Sequence, residues 1–180
     1  VADWVCDYPD CLIGFGSVNL SMGSDYIENT LGILEKTALK GLNLLPHLKF
    51  FDAAEDENMD IVAAFCRRTG APISSHSGCG DGPFEIPELS QHARPSLWEP
   101  FVSKYPDIKL VLSGFGARSK EIPGIWLFEA MQLGKKHRNV YADLAGVDWL
   151  LDRESVVQEI RKTIGFDRVL FASDYPHSLS

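Results

Sequence analysis

The chain has 180 residues, of which 45% are hydrophobic and 11% aromatic. This is enough apolar material for one packed core and excludes a disordered chain. The 17 lysine and arginine residues face 25 aspartate and glutamate residues, which gives a net charge of −8 without any basic cluster. The charge therefore argues against nucleic acid or an anionic membrane surface as a partner.

The apolar runs are a few residues long, far below the roughly 20 residues that a membrane-spanning helix needs. No charged and then apolar leader opens the chain. We therefore expect a single cytoplasmic domain over residues 1–180. The four cysteines, Cys6, Cys11, Cys66 and Cys79, lack the CxxC spacing of a zinc cluster, and we interpret them as free thiols.

Strand-like and helix-like segments alternate along the chain. Apolar runs predict strands at residues 12–18, 41–45, 72–76, 108–113, 139–143 and 168–173. Helical periodicity predicts helices that begin near residues 24, 56, 95, 125 and 153. Six strands separated by helical segments require parallel pairing with right-handed crossovers. The fold class is therefore α/β, either an open doubly wound sheet or part of a (β/α)₈ barrel.

The last predicted strand ends in the most informative stretch of the chain, residues 168–177. Its residues 169–172 are apolar on both faces, which predicts a strand buried in a parallel sheet and places Asp174 at its carboxyl end. The carboxyl ends of such strands carry the chemistry of α/β enzymes. The polar residues at or just beyond these ends are Asn43, His47, His76, Ser113, Asp143, Asp174 and His177. The amino ends offer only Lys40, Lys109 and Arg168, which we expect to be solvated.

His76 and Asp174 are the strongest candidates on this rim. Alone, His76 could be a hydrogen-bonded core residue, and Asp174 could cap a turn. Together they indicate a metal site, because imidazole nitrogen and carboxylate oxygen are both good zinc ligands. The glycine-rich segment after His76 lacks a phosphate-loop pattern, and we interpret it as a lid. Cys79 in this segment could be a nucleophile, and Asp143 could be a base or a turn carboxylate.

The residues from Leu170 to His177 resemble the last barrel strand of the amidohydrolase-related metal-dependent hydrolases, a family that includes aminocarboxymuconate semialdehyde decarboxylase. Further segments agree in order and spacing, at residues 72–78, 94–111, 139–143 and 165–168. The resemblance covers nearly the whole chain from about Leu12. It implies a TIM barrel of which this chain holds strands three to eight, without strands one and two and their His-x-His pair.

The resemblance also implies a divalent metal, usually zinc, held by the strand-one pair, His76 and Asp174. Asp174 would accept and later return a proton in the hydrolysis or decarboxylation of a small carboxylated or cyclic substrate. Arg94 could pair with a substrate carboxylate, and Asn43 and His177 would also line the substrate site.

Two positions depart from the family pattern. Gly114 stands where relatives have histidine in a His-x-Gly context on strand six. Asn43 stands where many relatives have lysine in a Gly-x-Lys-x-His-Pro pattern, and asparagine cannot be carbamylated to bridge two metals. We therefore also consider a catalytically degenerate barrel with a binding or scaffold role, and an unrelated open α/β domain in which His76 and Asp174 lie far apart.

The chain supplies only two predicted metal ligands, His76 and Asp174, whereas a catalytic zinc site generally has three protein ligands. We therefore expect the 180-residue chain alone to bind metal weakly or not at all, and we expect it to be a fragment. An incomplete barrel exposes unpaired strand edges, which favour association into a homo-oligomer.

Overall fold

The fold is built around one sheet of six parallel strands. It is known from a computed structural model, which describes residues 2–80 and 85–175. The strands are β1 (Phe15–Gly16), β2 (Gly41–Leu44), β3 (Ile73–Gly78), β4 (Leu110–Arg118), β5 (Val140–Asp143) and β6 (Val169–Leu170). Each strand pairs with the next strand in the chain, so the order in the sheet is β1-β2-β3-β4-β5-β6.

This sequential order decides between the two predicted architectures. A doubly wound sheet reverses its strand order at a switch point, and no such reversal occurs among the six strands here. A sheet that always advances in one direction is the arrangement of a (β/α)₈ barrel. The doubly wound alternative is therefore wrong.

Helices connect the strands and cover one face of the sheet. They are α1 (Ala2–Asp7), α2 (Ser24–Leu34), α3 (Pro46–Lys49), α4 (Met59–Thr69), α5 (Pro87–Ser90), α6 (Glu99–Lys104), α7 (Leu127–Lys136) and α8 (Glu154–Lys162). Helix α4 ends as its sequence predicts, at Gly70, which has a φ of 75° and donates its N–H to the carbonyl of Cys66. Within the residues described, no helix is long and apolar enough to cross a membrane.

The two faces of the sheet differ in exposure. Side chains that alternate along β2 to β5 have no exposed surface and pack against the helices: Leu42, Leu44, Ile73, Leu110, Leu112, Val140 and Ala142. The intervening residues, which point to the opposite face, are only half-buried: Asn43, Ser74, His76, Val111, Ser113, Tyr141 and Asp143. Because side chains alternate across a strand, the predicted polar site residues of these strands share one accessible face.

Strand β6 corrects one prediction. Its apolar run predicts a strand buried on both faces, yet Leu170 is 42% exposed and Phe171 is 88% exposed. The physical reason is position, because β6 lies at the end of the sheet and pairs only with β5 among the described strands.

Arg168 corrects a second prediction. Instead of being solvated, it is 4% exposed, and its Nη1 donates to the carbonyl oxygens of Gly134, His137 and Val140. Two of these carbonyls terminate α7, where backbone oxygens lack helical partners and a cation is favoured. Arg168 therefore fastens the end of α7 to the start of β6.

Candidate active site

The carboxyl end of β3 brings two histidines together. The ring of His76 lies 4.4 Å from the ring of His47, measured between centroids. His47 reaches this place because α3 begins at Pro46, directly after β2, and it is only 4% exposed. The Nε2 atom of His76 lies 3.2 Å from the carbonyl oxygen of Cys79, within hydrogen-bonding distance. Binding a cation through Nε2 requires this contact to be released.

Strand β4 departs from regular geometry beside His76. Gly114, Phe115 and Gly116 have φ values of 79°, 51° and 66°, a left-handed run that glycine tolerates and phenylalanine disfavours. The pairing with β3 jumps accordingly, from His76 opposite Ser113 to Gly78 opposite Arg118. We call residues 114–117 the β4 excursion.

Ser77 fastens the β4 excursion to β3. Its hydroxyl accepts a hydrogen bond from the N–H of Gly116 at 2.8 Å and donates one to the carbonyl of Ser113 at 3.0 Å. Ser77 is only 1% exposed, so loss of these two hydrogen bonds would leave buried polar groups unpaired. The β4 excursion is therefore held in place by hydrogen bonds to β3.

The excursion delivers Arg118 to the accessible face of the site. The Nη1 atom of Arg118 lies 2.9 Å from Oδ2 of Asp174, and the two side chains are 21% and 16% exposed. Gly146 allows this close approach, because a Cβ atom at position 146 would lie 3.1 Å from the same Asp174 oxygen. The backbone of Gly146 also has a φ of 66°, which favours glycine. Asp174 itself has a φ of 55°, which is unfavourable for a residue with a side chain.

Asp143 acts as a turn residue through one of its oxygens. Its Oδ1 accepts hydrogen bonds from the N–H groups of Gly114 and Ala145, at 2.9 and 3.0 Å, and from Oγ of Ser113 at 3.2 Å. Burial raises the pKa of the Asp143 carboxyl, and the negative charge of Asp174 acts in the same direction. Asp143 thus holds the start of the β4 excursion against β5.

The site offers donor atoms that suit a divalent metal, but the described residues do not complete a ligand set. His76 and Asp174 carry the nitrogen and oxygen donors that zinc accepts, at the carboxyl ends of β3 and β6. Among residues 2–80 and 85–175, however, no group of three or more His, Cys, Asp and Glu side chains could hold a metal ion. The assignment of His76 and Asp174 as metal ligands stays a prediction.

The other predicted site residues have separate environments. Asn43 lies in β2 opposite Ser74 and is half-buried on the accessible face. Arg94 is bonded to Glu129 of α7 rather than to Asp174, and its side chain is 45% exposed. His177 lies outside the described residues.

Cys79 does not have the character of a nucleophile. Its thiol has no exposed surface, and burial raises its pKa above the ordinary value. A reactive cysteine needs the opposite shift, since the thiolate is the nucleophile.

Arg118 lies in the site through its ion pair with Asp174, but it is not among the residues that the sequence predicts. The signal available was the segment Gly114-Phe115-Gly116, whose two glycines permit an irregular backbone before a charged residue. The hydrophobic periodicity of β4 could not predict that Arg118 reaches the accessible face. A register jump changes which side chains of a strand point to that face.

Comparison with known protein families gives a match over the whole chain. The sequence model of the amidohydrolase family, Amidohydro_2, matches residues 1–180. The chain belongs to the amidohydrolase family. The resemblance seen in its motifs is thereby confirmed, and with it membership of a family of enzymes. No curated protein sequence matches the chain.

Solved structures of similar fold also cover nearly the whole chain. A 2,6-dihydroxybenzoate decarboxylase in complex with 2,6-dihydroxybenzoate matches 98% of this chain and 64% of its own, with a TM-score of 0.59 and 14% identity. A protein described as a probable 2-pyrone-4,6-dicarboxylic acid hydrolase from Acinetobacter baumannii, with citric acid bound, matches 99% and 63%, with a TM-score of 0.61 and 16% identity. The apo IDCase of Metarhizium anisopliae matches 97% and 54%, with a TM-score of 0.62 and 15% identity.

These similarities establish the fold of this amidohydrolase. The prediction of a TIM-barrel type α/β fold is confirmed by them and by the sequential strand order. The chain spans 54% to 64% of the length of these three solved chains.

Proposed function

We propose that this protein is a metal-dependent decarboxylase or hydrolase of a small carboxylated or cyclic molecule. The observation that carries the proposal is the carboxylate of Asp174, held beside Arg118 at the carboxyl end of a barrel-type sheet in an amidohydrolase chain. The ligands of two solved neighbours, 2,6-dihydroxybenzoate and citric acid, are small carboxylates and support this substrate class.

His76 and Asp174 would hold the divalent metal, for which zinc is our first choice, together with donors beyond the described residues. Bound there, the metal would act as a Lewis acid or lower the pKa of a bound water to about 7. The half-buried setting of both side chains suits this role, because it limits competing water while leaving a path for solutes.

Asp174 would carry the proton of the reaction. In hydrolysis it would accept a proton from the attacking water and return it to the leaving group. In decarboxylation the bond between the carbon skeleton and the carboxylate breaks, carbon dioxide leaves, and the skeleton takes up one proton, which Asp174 can deliver. Both roles need Asp174 to be released from Arg118, since Oδ2 of Asp174 is engaged in the observed ion pair.

Assays of the purified full-length protein with added zinc test this proposal. One arm measures carbon dioxide released from 2,6-dihydroxybenzoate, and the other measures ring opening of 2-pyrone-4,6-dicarboxylate. We expect turnover in one arm that disappears when zinc is chelated and returns when zinc is added. Turnover that survives chelation would contradict the metal-dependent mechanism.

Gly114 supports a second candidate, a degenerate barrel that binds small molecules without catalysis. The family pattern that the sequence resembles has histidine at this position, whereas here the backbone of Gly114 has a φ of 79° and begins the β4 excursion. Saturable binding of either assay compound without turnover, at any zinc concentration, would favour this second function.

A further inference from the structure

We propose that Asp143 forms a subsite for a hydroxyl group of the substrate, in which Oδ2 of Asp143 accepts the hydrogen bond that the hydroxyl donates. This inference rests on the proposed function and deepens it, because it narrows the substrate class to small carboxylated or cyclic molecules that also carry a hydroxyl. Asp143 is then a specificity-determining residue, distinct from Asp174, to which the proposed function gives the proton of the reaction.

The position of Asp143 places it within reach of a ligand at the candidate site. His76 in β3 lies opposite Ser113 in β4, and Oγ of Ser113 lies 3.2 Å from Oδ1 of Asp143 in β5. All three residues are half-buried on the accessible face of the sheet. Neighbouring strands are about 4.8 Å apart, so two strand spacings, about 10 Å, separate the backbones of His76 and Asp143. One small molecule between their side chains can therefore contact both.

The hydrogen bonds of Asp143 leave one of its two oxygen atoms available. Oδ1 accepts from the N–H groups of Gly114 and Ala145, at 2.9 and 3.0 Å, and from the hydroxyl of Ser113. Two of these donors are backbone groups, which hold the carboxylate in one orientation. Within the described part of the chain nothing donates to Oδ2, and this atom is not among the fully buried ones. Oδ2 is therefore a pre-oriented acceptor that a solute can reach.

The charges around Asp143 favour a neutral donor. A Cβ atom at Gly146, in the turn after Asp143, would lie 3.1 Å from Oδ2 of Asp174 and 3.9 Å from Cζ of Arg118. An anion and a cation therefore both border this turn, so a charged ligand group would meet a like charge there. A hydroxyl donates a hydrogen bond without bringing further charge into the half-buried site.

Burial gives Oδ2 a reason to bind such a donor. It raises the pKa of the Asp143 carboxyl, and the negative charge of Asp174 acts in the same direction, so the ionised form is held at a cost. A hydrogen bond from a ligand to Oδ2 offsets part of this cost. The contacts, the position and the charges of Asp143 thus agree on a hydroxyl as its ligand group.

Binding of two neutral probes to the full-length protein without metal tests the subsite. Resorcinol carries two hydroxyl donors, and 1,3-dimethoxybenzene has the same ring and oxygen atoms without a donor. At a pH of about 8, about four units above the ordinary pKa of aspartate, we expect the wild type to bind resorcinol about tenfold more tightly, the contribution of a hydrogen bond to a charged group. Calorimetric titration measures both affinities. Equal affinities of the wild type for the two probes would overturn the subsite.

Asp143→Asn provides the decisive variant. Its amide oxygen can still accept from Gly114 and Ala145, while the amide N–H at the Oδ2 position can donate to the oxygen atoms of both probes alike. The preference for resorcinol should therefore fall about tenfold, whereas Asp107→Asn, at an exposed pair with Arg67, should keep it. Circular dichroism checks that both variants are folded. An unchanged preference in Asp143→Asn would contradict the assignment.

A measurement on the wild type makes the test independent of any variant. The amide protons of Gly114 and Ala145 bond to the other oxygen of the same carboxylate, so their NMR signals should shift with resorcinol and not with 1,3-dimethoxybenzene. Tighter binding of benzylammonium than of resorcinol would indicate a cation site and overturn the hydroxyl assignment.

These binding measurements need neither metal nor turnover, so they are separate from the assays of the proposed function. Turnover without a preference for resorcinol leaves the proposed function standing and overturns the hydroxyl subsite. A preference for resorcinol without turnover leaves a hydroxyl-binding subsite in a protein that is not the proposed enzyme.

Discussion

Arg118 and Asp174 form an ion pair across the carboxyl end of the sheet, joining the end of β4 to the segment after β6 at 2.9 Å. The pair depends on three backbone features that the sequence supplies separately. These are the β4 excursion before Arg118, the glycine at position 146, and the positive φ of Asp174.

Asp174→Asn is expected to reduce turnover by about 10² to 10⁴-fold, the usual contribution of a positioned proton-transfer group. The amide keeps the shape of the side chain, so the free energy of unfolding should change by no more than about 1 kcal/mol. Steady-state kinetics and urea unfolding measure the two effects. Asp107→Asn, which alters an exposed pair with Arg67, is the matched control and should retain full turnover. Unchanged turnover in Asp174→Asn would remove the assigned role.

Gly114→His is expected to destabilise the protein by about 1 to 3 kcal/mol rather than to restore a ligand, because the backbone there is left-handed. A Cβ atom at this position would lie 3.1 Å from the carbonyl oxygen of Ser77. Gly32 in α2 is the control, since a Cβ atom there meets nothing within 4 Å and its φ is not positive. Gly32→Ala should increase stability slightly, by about 0.5 to 1 kcal/mol. Urea denaturation that ranks the two variants the other way would contradict this account.

Arg168→Met is expected to lower the free energy of unfolding by at least about 2 kcal/mol, because it removes a charged donor from three carbonyl oxygens, of which those of Gly134 and Val140 are buried. The control is Arg67→Met, which removes an exposed, solvent-screened ion pair and should change stability little. Thermal or urea unfolding of both variants gives the comparison. Similar losses in the two variants would show that Arg168 does not fasten α7 as inferred.

Asp143 is expected to make stability depend on pH. Burial raises the pKa of its carboxyl in the folded state, so the folded protein binds this proton more tightly than the unfolded chain. Its contribution to stability is therefore complete below the unfolded pKa of about 3.9 and is lost as pH rises through the folded value. Exposed carboxyls with a lowered pKa, such as Asp107 beside Arg67, act in the opposite direction.

The difference between the wild type and Asp143→Asn isolates this effect. The asparagine oxygen can still accept from Gly114 and Ala145, so the variant should lose only the titration. We expect the variant to gain stability relative to the wild type as pH rises from about 4 toward neutrality. A difference that stays constant across this range, measured by urea unfolding, would contradict a raised pKa at Asp143.

Much of the frame was predictable from local patterns. The helix stop at Gly70 follows from a left-handed glycine, and the buried face of Trp98, Phe101, Val102 and Tyr105 follows from helical spacing. The placement of His76 in the second half of β3 and of Asp174 after β6, at one edge of the sheet, follows from parallel pairing. These features depend on residues close in sequence, where composition constrains the backbone directly.

The contacts of the site were less predictable because they depend on distant segments. The sequence places Asp174 after a strand, but the ion pair to Arg118 requires the register jump between β3 and β4. The exposure of Leu170 depends on which strands flank β6, which its own apolar character does not encode. Arg94 is the arginine that the sequence suggests for the site, whereas the structure pairs Arg94 with Glu129 and Arg118 with Asp174.

The hydroxyl of Ser77 ties the left-handed segment of β4 to the strand that carries His76. Exchange of a single amino acid therefore cannot convert this site into one with a histidine on β4. Segment 114–118 and Ser77 form one structural unit, so transfer of a relative's site onto this fold requires that both be replaced together.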